Sequence, residues 1–172
     1  MRRTDTPSLP RRKRGYLGGT DPYGVLEPGP SGATCSRCGA VYYNKRWYRS
    51  AADLPERDTT IAFATSLLCP GCQRVVEKNP GGYVSFSGRF LREHTDEIRN
   101  LINREVGKAK GFNPLDKIIS WENTPEGFEI TTTSKKLAQR LGRAVQKAYD
   151  GDFEMSRSKR NELFRGSWRR DN

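Results

Sequence analysis

The chain has 172 residues, only 34% of them hydrophobic, with a formal net charge of +11 and a pI near 9.8. That length fits one ordinary domain, or a small domain plus a module, with a modest core that benefits from a staple. The charge favours a polyanionic partner, nucleic acid before an acidic membrane surface. No stretch approaches the ~18 apolar residues of a membrane span. The N-terminus MRRTDTPSLPRRKRGY has no apolar signal region. A soluble, cytoplasmic protein with no membrane partner is expected.

Residues 1–34 are rich in proline and glycine and hold the cluster Arg11, Arg12, Lys13 and Arg14. They read as a flexible basic arm. Residues 35–80 hold all four cysteines, and residues 81–172 change to alternating strand and helix patterns. The net charge divides as +3 for 1–34, +3 for 35–80, +1 for 81–156 and +4 for 157–172. An anion-binding face is therefore expected mainly outside the α+β body.

Cys35-Ser36-Arg37-Cys38-Gly39 and Cys69-Pro70-Gly71-Cys72 are two C-x-x-C knuckles. Thiolates at this spacing can share one tetrahedral ion, and in a reducing compartment four cysteines read as ligands before disulfides. One structural Zn²⁺ on Cys35, Cys38, Cys69 and Cys72 is expected, because four thiolates leave no open coordination position. The competing reading is a pair of redox dithiols; the CPGC run follows no clear βα start of a thioredoxin-like unit.

The run Val41-Tyr42-Tyr43-Asn44-Lys45-Arg46-Trp47-Tyr48-Arg49 leaves the first knuckle. Rings can stack on exposed bases while Lys45, Arg46 and Arg49 meet phosphates. Equally, Tyr43 and Trp47 can pack on the knuckle as its small core. Both readings stand at this point.

In the second half, 81–88 alternates as a strand. Residues 89–111 read as one helix with Leu91, His94, Ile98, Leu101, Ile102 and Val106 on one side and Gly111 as the stop. Residues 115–123 and 127–134 are strands around a Thr124-Pro125-Glu126 turn. Residues 135–151 are a second helix, capped by Ser134, with Leu137, Leu141, Ala144, Val145 and Ala148 buried. Residues 152–158 and 162–170 are strands around Lys159-Arg160-Asn161. The order βαββαβ with an extra C-terminal strand predicts an α+β, ferredoxin-like sandwich with both helices on one sheet face.

Lys136, Arg140, Arg143 and Lys147 fall within about 60° of one another around the second helix, roughly 110° from its apolar face. This stripe can follow a phosphate backbone; an ordinary solvated helix face is the bland alternative. Arg157, Lys159, Arg160, Arg169 and Arg170 give the C-terminal tail the same capacity. His94, the single histidine, reads as packed rather than metal-bound. No phosphate-loop, nucleophile-elbow or H-E-x-x-H motif occurs, so neither an enzyme nor a small-molecule substrate is expected.

The order of these features resembles the N-terminal half of the large ribosomal subunit export-adaptor family, and a small bacterial zinc-ribbon family of the same plan. The residues that carry it are Cys35, Cys38, Gly39, Cys69, Pro70, Cys72, Gly81-Gly82-Tyr83, and Gly127-Phe128-Glu129-Ile130 through Leu137, Ala138 and Arg140. It covers about residues 33–156 and implies zinc binding and contact with the large ribosomal subunit. The export adaptors carry two four-cysteine sites, whereas this sequence has one, so nuclear export is not implied. The expectation is a zinc-stabilised protein that binds RNA, associated with ribosomal particles. The alternative is a zinc-ribbon adaptor that binds proteins and not RNA.

Overall fold

A computed structural model describes residues 32–55, 66–157 and 163–172. The expected basic arm lies outside the described residues up to position 31, as do Lys159 and Arg160. The described chain is mixed α+β, with four helices and two mixed sheets.

The first sheet belongs to the cysteine segment. Strands β1 (Ala33–Cys35), β2 (Val41–Tyr43), β3 (Arg46–Tyr48) and β4 (Ser66–Leu67) run in the order β3-β2-β1-β4. β4 is parallel to β1 and the other pairs are antiparallel. Asn44 and Lys45, at φ 46° and 61°, form the two-residue turn between β2 and β3. Two successive left-handed residues match the right-handed strand twist, which favours this hairpin. Helix α1 (Pro70–Val76) follows, with Pro70 at a position whose missing N–H costs nothing.

The second sheet contains β5 (Gly82–Ser87), β6 (Ile118–Thr124), β7 (Gly127–Thr132), β8 (Asp152–Arg157) and β9 (Phe164–Arg169), in the order β6-β7-β5-β9-β8. Helices α2 (Arg89–Glu93), α3 (Thr95–Phe112) and α4 (Lys135–Tyr149) complete the body. The run β6-β7-β5 and its crossovers follow the ferredoxin-like plan. The extra strand is not at the edge, however. β9 inserts between β5 and β8, parallel to β5 and antiparallel to β8, and pushes the ferredoxin-like fourth strand outward.

Alternation along the strands explains the one-sided core. Val84 and Phe86 of β5, Phe128 and Ile130 of β7, and Trp168 of β9 turn one way and bury against Ile98, Ile102, Leu137, Leu141 and Val145 of the helices. Helix α4 approaches closely because Gly142 has no side chain. A Cβ there would sit 2.1 Å from the Phe153 ring of β8. Ala138, packed beside Gly82, and Gly142 are buried, whereas Ala148, expected on the buried face, is exposed.

The helix expected over 89–111 is broken at His94, whose φ and ψ are −119° and 25°. The Thr95 hydroxyl donates to the carbonyls of Leu91 at 2.7 Å and Arg92 at 3.4 Å. A β-branched residue that bonds back into the preceding turn competes with the helical ladder there. His94 is half-buried and stacks on Phe90, with ring centroids 4.2 Å apart.

Candidate metal centre and basic surfaces

Each knuckle is built by local hydrogen bonding. Cys35 ends β1, and its N–H donates to the Ala40 carbonyl at 2.7 Å. Gly39 donates back to the Cys35 carbonyl at 2.9 Å with φ at 71°, a conformation that favours glycine. On the other side, Cys69 is the N-cap of α1, and its sulfur accepts from the Cys72 N–H at 3.4 Å. The Cys69 N–H in turn donates to the Cys35 sulfur at 3.3 Å, so backbone from one knuckle supports sulfur of the other.

The four Sγ atoms lie within 4.8 Å of one another and form a group that can hold one metal ion. The Sγ atoms of Cys38 and Cys69 are 3.7 Å apart. A disulfide needs about 2.05 Å, whereas a tetrahedron with ~2.3 Å metal–sulfur bonds has edges of about 3.8 Å. The spacing therefore fits shared ligation and not a cross-link. Cys35, Cys69 and Cys72 are buried, and Cys38 is exposed.

Burial acts to raise the Cys35 thiol, but N–H donors from Cys69, Cys38 and Arg37 outweigh it and bring the thiol down to about 6. Burial pushes Cys69 upward, and raises Cys72 to about 11. Without a cation the group thus stops short of four thiolates, first because burial disfavours the charged form and then because like charges repel.

The core around this group is small. Ala33, Ala40, Tyr42 and Trp47 pack with the three buried cysteines, with Leu67 and Leu115 at the margin. Leu115 comes from the segment before β6 and ties the cysteine segment to the body. Gly71 permits the approach, since a Cβ there would lie 2.5 Å from the Leu115 carbonyl oxygen.

The aromatic-basic run divides by strand alternation. Tyr42 and Trp47 face each other across β2 and β3, with ring centroids 5.4 Å apart. Trp47 is only 7% exposed, so packing, rather than base stacking, is its role in this state. The opposite face carries Tyr43, Arg46 and Tyr48, with Arg46 5.5 Å over the Tyr48 ring. Lys45 and Arg46 are exposed, and both tyrosines are half-buried. Arg49 is also exposed, but it holds Asp53 through two contacts at 3.1 and 3.2 Å.

On α4, Lys136, Arg143 and Lys147 are exposed and Arg140 is half-buried. All four border one cleft of about 350 Å³ together with Glu105 of α3. In the tail, Arg157 ends β8. Arg169 pairs with Glu126 at 3.3 Å and Asp171 at 2.8 Å. Arg170 lies 4.0 Å over the Phe90 ring and donates to the Tyr149 carbonyl, clasping α2 to the end of α4. The two tail arginines are thus engaged within the fold.

One residue of this surface escaped the sequence reading. Phe112 extends α3 one residue past the expected stop at Gly111 and is 75% exposed. By helical spacing Phe112 lies about 60° from Ala109, on the apolar side of α3, but beyond the last buried position, so an aromatic residue that carries the stripe past the core is the signal that marks it.

No family model, curated protein or solved structure matches this chain.

Proposed function

We propose that Cys35, Cys38, Cys69 and Cys72 hold one zinc ion in a structural role. On this reading the protein is non-enzymatic, binds RNA, and associates with ribosomal particles in the cytoplasm. All-thiolate ligation suits Zn²⁺ and leaves no position for a substrate. The β2–β3 hairpin carries the RNA part of the reading. Its inner ring pair, Tyr42 and Trp47, is anchored on the cysteine group, while Tyr43, Lys45, Arg46 and Tyr48 lie on the other face or at the tip. A rigid base under rings and cations suits stacking on bases and contact with phosphates. The resemblance to the ribosomal export adaptors supports the choice of particle.

The test is sedimentation of a cell lysate through sucrose at low and high salt. Co-migration with the large subunit, lost at high salt, is expected, since counterion release makes phosphate binding salt-dependent. Migration at the top of both gradients would exclude ribosome association. The second reading, a protein-interaction adaptor without direct RNA contact, draws support from the sheet edges. β6 and β8 each have one unpaired side among the described residues, a site for strand addition. A particle contact that survives nuclease treatment would favour it.

A further inference from the structure

The cleft between α3 and α4 and the helix end beside it offer two features that the hairpin reading does not use. The first is charge without a partner. Lys136, Arg143 and Lys147 make no ion pair among the described residues, although they border the same cleft. Arg140 is different, because its Nε lies 2.9 Å from Glu105, which also takes Lys108 at 2.7 Å. The single carboxylate bordering the cleft is therefore already shared by two cations, and the other three are left for an external anion.

The second feature is an uncovered ring. Phe112, at the end of α3, has the most exposed of the large apolar side chains among the described residues. The Arg140 guanidinium lies 5.9 Å from its ring centroid, so the ring and the basic row are neighbours. Nothing in the body's core requires an aromatic side chain at this position. Burying such a ring against a partner is favourable.

One ligand chemistry satisfies both features. At ~1.5 Å rise per residue, positions 136 to 147 span about 17 Å, enough to run beside several successive phosphates of a strand. An unpaired base on the same strand can lie on Phe112. A duplex offers the charges but keeps its bases stacked inside.

We propose that this cleft is a binding site for single-stranded RNA, in which Phe112 stacks on one base and Lys136, Arg143 and Lys147 take neighbouring phosphates. The site rests on the RNA-binding reading above and adds to it a contact surface outside the hairpin.

Fluorescence anisotropy of a labelled mixed-sequence 12-nucleotide RNA, and of a 12-base-pair RNA duplex, tests it on the zinc-loaded full chain. Phe112→Ala is expected to weaken single-strand binding about tenfold and to leave duplex binding within about twofold, since one stacked base is worth about that much. Arg143→Gln with Lys147→Gln should weaken both ligands and reduce the salt slope for the single strand by about 1.4. An unchanged thermal transition for Phe112→Ala, a truncation of an exposed ring, confirms that the fold is intact. If the wild type binds neither RNA, the RNA reading fails and this site with it. If the wild type binds and Phe112→Ala matches it within twofold, the cleft proposal alone is overturned. Equal loss of single-strand and duplex binding in Phe112→Ala would also overturn it.

Discussion

Removing metal should open the cysteine segment and leave the α+β body folded. The two cores differ sharply in strength. Among the described residues, the large buried rings around the cysteines are Tyr42 and Trp47, which together contribute about 3–6 kcal/mol by burial. The proposed structural zinc ion would contribute about 10–16 kcal/mol, as in small zinc modules, and so would outweigh the rings even at the ends of both ranges. Among the described residues, the body has thirteen buried core residues of its own, including Phe86, Phe128 and Trp168. The tryptophans separate the two events, because Trp47 lies in the cysteine core while Trp121 and Trp168 lie in the body. Chelation, or Cys69→Ser, should shift tryptophan emission to the red when Trp47 is present. The shift should vanish in a Trp47→Phe control. A cooperative thermal transition and most of the far-UV signal should persist. Unchanged Trp47 emission after complete removal of zinc would refute the argument, and so would collapse of the whole chain.

Three further outcomes follow from packing and charge. Gly142→Ala should lower stability by about 1 kcal/mol although alanine favours helices, because overpacking against Phe153 costs about 1–3 kcal/mol; a raised melting temperature would contradict this. Ser134 accepts from the Leu137 N–H at 3.1 Å and donates to Asp116 at 2.6 Å, so Ser134→Ala should cost about 1 kcal/mol in a urea titration. Lys108 first, and then Arg140, hold the Glu105 carboxyl below the usual carboxylate range against the opposing effect of burial. Its stabilisation is complete above the unfolded value of about 4.3 and is lost as pH falls through the lower folded value. Glu105→Gln should therefore cost about 1 kcal/mol at pH 7 and nothing near pH 2; the same loss at both would show that charge is not the cause.

Much of the body is legible because its elements obey one local period at a time. The alternation around Val84 and Phe86 marks a strand, and Leu137, Leu141 and Val145 mark a helix face, without reference to anything distant. The cysteine pairs are equally legible, since the chemistry of four thiols constrains their spacing. What is not legible depends on partners far away in the chain. The pairing of Cys35 with Leu67 in parallel strands is one case. The insertion of β9 beside β5 is another, because hydrophobic alternation in Phe164, Gly166 and Trp168 specifies a strand but not its neighbours. Gly142 reads as a weak point in a helix until Phe153 is placed against it. The break at His94 is local but subtle, because a threonine hydroxyl overrides an otherwise continuous helical pattern. In the basic surface, composition identifies the cations, but only the fold separates Arg140, Arg169 and Arg170, which hold internal partners, from Lys136, Arg143 and Lys147, which make no ion pair among the described residues.

The placement of β9 sets an order on how the body is assembled as the chain is synthesised. β5, β6 and β7 can pair as soon as Thr132 is available, and α4 can dock on them. β8 follows, but its place in the sheet is two strands from β5, across a gap that only β9 fills. Until then Phe86 lacks the Trp168 ring, whose centroid lies 6.3 Å away in the finished fold. β5 and β8 meanwhile present unpaired backbone, the kind of edge that invites pairing with another chain. Pairing Gly82 with Phe164 closes a long loop for a parallel contact, which is slow by nature. A chain stopped before β9 therefore has a sheet in two pieces, rather than a sheet one strand shorter.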